Sequence, residues 1–272
     1  MPTFAAELDA ARDAARSAGE VIRRHYERGP IEAELKADDS PVTRADLDAD
    51  AAILGLLGRR FPGDAILSEE RTDDAARLTR ERVWIVDPLD GTRDFVARTG
   101  DFAVHVGLAV GGRPALGVVY QPIGDRLYWA TAGGGAWVRE DGSERRLAVS
   151  TCDALDRARA GVTRLAADDN LARFLADSGL APRTRPIGAS IKMLAVARGE
   201  TEISVCLHGR EKEWDTLAPS IVVTEAGGRV TDVDGADFVY NHADVAHRRG
   251  ILMTNGRVHD AVLALASSYF AE

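Results

Sequence analysis

The stretch Val83-Trp84-Ile85-Val86-Asp87-Pro88-Leu89-Asp90-Gly91-Thr92-Arg93-Asp94-Phe95 decides how the chain is read. Its first four residues are apolar and β-branched or aromatic, the composition of a buried strand. Asp87 is expected to end that strand, because Pro88 fixes φ and removes a backbone donor. Asp90-Gly91 then reads as a turn. Two carboxylates at the end of a buried strand crowd negative charge. At about 4 Å two such charges repel by about 4 kcal/mol at an effective dielectric near 20. A compensating cation is expected, and hard carboxylate oxygens suit Mg²⁺ or Mn²⁺. A helix starting at Gly91 or Thr92 would turn backbone N–H groups toward the same place and could hold a phosphate. Asp-Pro and Asp-Gly are also ordinary turn pairs, so the rest of the chain has to decide.

Composition sets the limits. The chain has 272 residues, 45% of them hydrophobic, enough for one large domain or two tightly joined ones. A net charge of −9 argues against a nucleic-acid polymer or an anionic membrane as the main partner. A small anionic substrate stays compatible, because a bound cation inverts the local field. Early acidic residues, Glu7 and Asp9, and the absence of a long apolar run predict neither a signal peptide nor a membrane span. Cys152 and Cys206 are far apart and form no metal or redox motif; Cys206 reads as a buried strand thiol, and a reducing cytoplasm fits best.

Taken in order, residues 4–28 carry apolar residues at helical spacing, stopped by Gly29-Pro30. A short strand follows at 31–35 and a loop at 36–41. Thr43-Arg44-Ala45-Asp46 opens a helix, where Asp46 can close a capping box with Thr43 and still point into a site. Ala65 to Ser68 is a strand with Glu69-Glu70 at its end, and residues 71–82 are polar. Residues 102–140 read as antiparallel hairpins, with Gly133-Gly134-Gly135 as a turn rather than a phosphate loop. From about residue 155 strands and helices alternate: strands at 158–162, 184–187, 203–207, 230–233 and 251–254, helices at 168–178, 190–198, 215–226 and 258–270. The expected division is therefore an α+β part, 1–154, carrying most of the acidic residues, and an α/β part, 155–272, supplying Asp215 and the substrate pocket. A third acidic stretch, Glu213-Trp214-Asp215-Thr216, places Asp215 as a possible N-cap, a role worth about 1 kcal/mol.

Glu69, Asp87, Asp90 and Asp215 each sit at a strand end or helix start. Each alone has an ordinary structural explanation. Together they supply oxygen ligands for at least two divalent ions, to which the Leu89 carbonyl can add.

These motifs, in this order, resemble the inositol monophosphatase superfamily of Mg²⁺-dependent, lithium-sensitive phosphatases. Within it, Arg93-Asp94-Phe95 after Asp-Gly-Thr, Ser40 to Asp46, Leu67 to Glu70 and Gly188-Ala189-Ser190-Ile191-Lys192 look like the bacterial 3′(2′),5′-bisphosphate nucleotidase branch. The loop 207–212 departs from that branch. The resemblance implies a layered α-β-α-β-α sugar-phosphatase-like sandwich. It implies two or three Mg²⁺ ions, with Mn²⁺ as the alternative: Glu69, Asp87 and the Leu89 carbonyl on the first, Asp87, Asp90 and Asp215 on the second, and a third beside Glu69. It implies Asp46 and Thr92 as the pair that takes a proton from water, with Glu70 assisting. Substrate contacts are expected from Gly91, Thr92, Arg93, Gly188, Ser190 and Lys192, and Tyr240-Asn241 near the base. The implied reaction is hydrolysis of 3′(2′)-phosphoadenosine 5′-phosphate, with inositol monophosphate and fructose 1,6-bisphosphate as alternatives and a non-catalytic relative as the contrasting class. Monomer and homodimer both stay open.

Overall fold

The computed structural model describes residues 4–36, 40–164 and 169–270. Residues 37–39 of the expected loop and Asp168 at the expected start of a helix lie outside the described residues. The chain begins with helix α1 (Ala5–Glu27), the small hairpin β1 (Ala33–Leu35) and β2 (Pro41–Thr43), and helix α2 (Arg44–Arg60). Strands β3 (Ala65–Ser68) and β4 (Arg82–Asp90), the short helix α3 (Thr92–Val96), and strands β5 (Ala103–Val110), β6 (Arg113–Gln121), β7 (Arg126–Thr131), β8 (Gly135–Glu140) and β9 (Ser143–Arg146) follow. The remainder is β10 (Ala160–Val162), α4 (Asp169–Asp177), β11 (Thr184–Pro186), α5 (Ile191–Ala197), β12 (Ile203–Cys206), α6 (Glu213–Glu225), β13 (Arg229–Thr231), β14 (Ile251–Thr254) and α7 (His259–Ala266).

Two sheets organise these elements. The first has seven strands in sequence order, β3 to β9. It is antiparallel except at β3–β4, which pair in parallel. The polar segment between them, with a 3-10 turn at Ala75–Thr79, provides the crossover. The second sheet is mixed, in the order β11-β10-β12-β14-β13, with β11, β10 and β12 parallel. Helices α1 and α2 cover one face of the first sheet, where Ala10, Ala14, Ala18 and Ile22 meet Trp84, Val86 and Leu116. Helices α5 and α6 lie between the sheets. Helices α4 and α7 cover the outer face of the second, with Phe174 and Val262 against Val205 and Leu252. The result is the expected α-β-α-β-α sandwich. Cys206 faces inward while Val205 faces outward, the period-2 alternation of a strand buried on both sides.

Two glycines let α6 lie close on the first sheet. A Cβ at Gly107 would overlap Leu217 Cδ2, and one at Gly117 would sit 2.7 Å from Ala218 Cα. Val83 and Ile85 share the sheet face that packs on Leu217, while Trp84 and Val86 face the other way. By the same alternation Asp87 emerges on the α6 side.

Candidate active site

β4 does not end at Asp87. Asp87 pairs with His105 and Asp90 with Ala103, with an irregularity between them. Pro88 falls within it, where its missing N–H costs no ladder bond. The Leu89 N–H donates to Asp87 Oδ1 at 2.9 Å, which turns that carboxylate back over the strand end. Gly91 then takes φ +88°, and a Cβ there would meet Ala189 Cβ at 2.7 Å. The expected helix does start at Thr92, but it lasts only five residues.

Asp215 is not the N-cap of α6 but its third residue; Lys212 caps, and Asp215 Oδ2 accepts from the Lys212 N–H at 2.6 Å. Its neighbour Glu213 is buried and structural, accepting from the Asn241 and His242 N–H groups at 2.7 and 2.8 Å. With α6 docked as described, Asp87, Asp90 and Asp215 converge until one oxygen of each lies within 4.8 Å of the others. Asp87 is 1% exposed. Its pKa is pushed well up, by burial first and then by the charges of Glu69, Asp90 and Asp215. Asp215 is pushed up in the same way, by burial and then by Glu69 and Asp90. Such a cluster is short of positive charge and offers only hard oxygens. That donor set fits Mg²⁺ or Mn²⁺ and is poor for softer metals.

Glu69 follows β3 directly, its N–H donating to Val86 O at 3.3 Å. It faces a cation that the sequence did not flag. Lys36 Nζ donates to Glu69 Oε1 at 2.8 Å and to Glu70 Oε1 at 2.6 Å. Burial favours the neutral amine, but Glu69 and Glu70 outweigh it and raise the Lys36 pKa. Glu70 itself is pushed up to about 7, chiefly by burial, with Glu69 and Asp46 adding to the rise against the Lys36 hydrogen bond.

Asp46 closes the expected capping box, with Oδ2 accepting from Thr43 N–H at 2.8 Å and Thr43 Oγ1 at 2.6 Å. Its other oxygen, Oδ1, accepts from Thr92 Oγ1 at 3.0 Å. Thr92 Oγ1 also lies 3.2 Å from the Leu89 carbonyl. Burial raises the Asp46 pKa, and the Thr43 and Thr92 hydrogen bonds oppose it.

Part of this group faces a cavity of about 310 Å³, whose lining Lys36, Asp46, Glu70 and Asp87 do not reach. Glu69, Asp90, Thr92 and Asp215 form its acidic side; Arg93, Lys192 and Arg210 bring three cations to the rest of the wall. Ser190 also lines it, and its N–H donates to Asp90 Oδ2 at 2.7 Å. Gly188 does not reach the cavity lining. Its N–H donates to Asp101 at 2.9 Å, and a Cβ on it would collide with the Asp94 carboxylate at 2.5 Å. Lys192 Nζ is held by the Ala189 carbonyl at 2.7 Å.

The model of the inositol monophosphatase family matches residues 5–270. The chain belongs to the inositol monophosphatase family. It is therefore a phosphatase of a family that is generally metal-dependent and acts on small phosphorylated substrates. The 3′(2′),5′-bisphosphate nucleotidase CysQ of Salmonella typhimurium is 38% identical over 230 residues, 83% of this chain and 90% of that protein. A histidinol-phosphatase of Mycobacterium tuberculosis is 34% identical over 250 residues, 90% of this chain and 92% of that one. The solved structure of CysQ from Bacteroides thetaiotaomicron superimposes with a TM-score of 0.79 at 30% identity, covering 93% of this chain and 98% of its own. Among the described residues no helix is long and apolar enough to cross a membrane.

Tyr240 and Asn241 do not reach the lining of this cavity. Tyr240 is 2% exposed, with its hydroxyl on Thr216 and Ser220, and Asn241 is tied to Arg77 through both ends of its amide. Arg77 is 2% exposed and also bonds Asp73, so the 71–82 segment is pinned at its centre. His105 was not anticipated. It is fully buried, with Nδ1 3.0 Å from the Trp214 carbonyl and Nε2 2.7 Å from Ser190 Oγ. A carbonyl only accepts, so Nδ1 carries a proton and donates to it, while Nε2 also lies 3.5 Å from Asp90 Oδ2. A lone histidine in the apolar run 103–110 was the available signal.

Proposed function

We propose that this phosphatase removes the 3′(2′)-phosphate of 3′(2′)-phosphoadenosine 5′-phosphate, giving AMP and phosphate, with Mg²⁺ held by Glu69, Asp87, Asp90, Asp215 and the Leu89 carbonyl. Two or three ions suit the donors present, and Mn²⁺ is the alternative. The observation that carries the substrate reading is Arg93, Lys192 and Arg210 on the cavity wall beyond the carboxylates, where a second anionic group needs partners. The likeness to CysQ supports it.

When bound, such ions lower the pKa of a water and neutralise charge on phosphoryl oxygens. The chain's own residues do the rest. Thr92 Oγ1 takes a proton from the attacking water as its own passes to Asp46 Oδ1, and Glu70 stands on the same side to assist. The Thr43 bonds fix the Asp46 carboxylate in that orientation. Gly91, with no side chain, and the Thr92 N–H lie where the phosphate approaches. Attack is direct, with no phosphoenzyme, and positioning supplies most of the catalysis.

A second reading has its own support. Glu211 and Asp94 also line the cavity, and carboxylates there suit a substrate ammonium. Together with the histidinol-phosphatase likeness they favour histidinol phosphate as the competitor. Side-by-side kcat/KM values on 3′-phosphoadenosine 5′-phosphate, histidinol phosphate, inositol 1-phosphate and fructose 1,6-bisphosphate test both. A preference for the bisphosphorylated nucleotide is expected. Preference for histidinol phosphate overturns the first reading, and no phosphate release from any of them with Mg²⁺ supplied overturns both.

A further inference from the structure

The loop leaving β12 carries a second ligand set, of different chemistry. Cys206 Sγ lies 3.4 and 3.2 Å from His208 Nδ1 and Nε2 and donates to Glu211 Oε1 at 2.7 Å. His208 Nδ1 stands 3.2 Å from Glu211 Oε2. One ligand atom from each residue falls within 4.8 Å of the other two. Glu211 Oε2 is buried, with His208 Nδ1 as its near polar neighbour. Cys206 is the buried strand thiol that the sequence predicts, and the loop after it folds back and brings an imidazole and a carboxylate onto it.

We propose that Cys206, His208 and Glu211 bind Zn²⁺, or a metal of similar softness, at a site separate from the carboxylate cluster. A tetrahedral zinc with bonds of about 2.3 Å to sulfur and about 2.0–2.2 Å to nitrogen and oxygen holds its ligand atoms roughly 3.3–3.6 Å apart. The sulfur–nitrogen and nitrogen–oxygen separations are close to that range, but Sγ stands nearly equidistant from both ring nitrogens, so the imidazole has to turn about its terminal torsion to aim one lone pair at the ion. The sulfur–oxygen contact has to open by less than about 1 Å, which rotation of the Glu211 carboxylate about its soft terminal torsion provides. Sulfur and imidazole donors select against Mg²⁺, as the all-oxygen cluster selects for it. Three protein ligands leave one coordination position for water. Glu211 and its neighbour Arg210 also line the substrate cavity, so the ion sits in the cavity wall.

The test is zinc retention in excess Mg²⁺, measured on the full chain with a chromophoric chelator as competitor. One Zn²⁺ per chain is expected to stay bound. Cys206→Ser and the half-exposed His208→Ala should each weaken it at least about tenfold, while Asp87→Asn should not. Co²⁺ in its place should give a near-ultraviolet sulfur-to-cobalt absorption that Cys206→Ser lacks, with far-ultraviolet circular dichroism confirming that both variants fold. Complete displacement of zinc by Mg²⁺, or zinc binding lost in Asp87→Asn and kept in Cys206→Ser, would overturn the proposal.

Discussion

Two helices of this protein begin alike and end up in different chemistry. Asp46 is the third residue of α2 and accepts from the N–H of its cap, Thr43, at 2.8 Å; Asp215 is the third residue of α6 and accepts from the N–H of its cap, Lys212, at 2.6 Å. Locally the two are one motif. What each carboxylate meets next separates them. Asp46 meets hydroxyls, from Thr43 and Thr92, which donate to it. Asp215 meets the carboxylates Asp87 and Asp90, which repel it. One acid is satisfied by donors. The other is crowded by like charges, which a cation would relieve. A local motif fixes where a side chain starts, and its neighbours decide what it is for.

Substitutions should pull the two apart. Asp215→Asn keeps an acceptor for the Lys212 N–H and removes a charge from the crowded cluster. We expect turnover to fall at least about 10²–10³-fold while the Tm measured without metal holds or rises. A lowered Tm would show that the cluster is not under repulsive load. Asp87→Asn should behave likewise. At the other helix, Thr92→Val should cost about 10²–10³ in kcat through lost proton transfer, and Thr92→Ser, which keeps the hydroxyl, should recover most of it. Equal losses in both would make Thr92 a packing residue. Chelation with EDTA should stop phosphate release, and restoring Mg²⁺ at about 100 times its Kd should stabilise the wild type by about 2.7 kcal/mol. That gain, read from thermal melts, should shrink in Asp215→Asn and persist in Thr92→Val.

The smallest effect calibrates the others from a layer outside the site. His259, the first residue of α7, is fully buried between Thr231 and Thr254, with Nε2 at 3.1 Å and Nδ1 at 3.0 Å from their hydroxyls. Burial, then the Arg229 charge, lowers its pKa to about 4. The unfolded chain holds that proton up to its ordinary value near 6.5, so the unfolded state binds more protons between those limits. The stability from neutral His259 is therefore complete above about pH 6.5 and is lost as pH falls toward 4, by about 1–3 kcal/mol. Denaturant melts across this range should show the slope, which His247, also lowered to about 4 by burial, shares, and His259→Gln should reduce it.

Much of the fold was legible because its signals are local. The apolar run before Asp87, the glycine turn at 133–135 and the alternation of strands and helices after 155 need no knowledge of distant residues. Other features were not legible for physical reasons. β4 is apolar on both faces, so nothing in the run says that Asp87 emerges toward α6 rather than toward α2. The continuation of β4 past Pro88 depends on pairing with β5, which tolerates a missing donor at an irregularity. Tyr240 is expected from the resemblance near the base, and only the structure shows it buried with its hydroxyl on Thr216 and Ser220. Lys36 lies in a polar loop whose sequence gives no hint that it turns back onto Glu69 and Glu70.

By itself the sequence determined which residue types were available and where: carboxylates at strand ends and helix starts, small residues where backbones must approach, and a family-wide order of motifs. Tertiary structure alone decided which carboxylates share a pocket, which is satisfied by hydroxyls, and that Cys206 has His208 and Glu211 beside it. The reason is range. Capping and turn chemistry act within a few residues, whereas the repulsion that calls for a cation exists only after α6 has docked on Gly107 and Gly117 and brought Asp215 to Asp87.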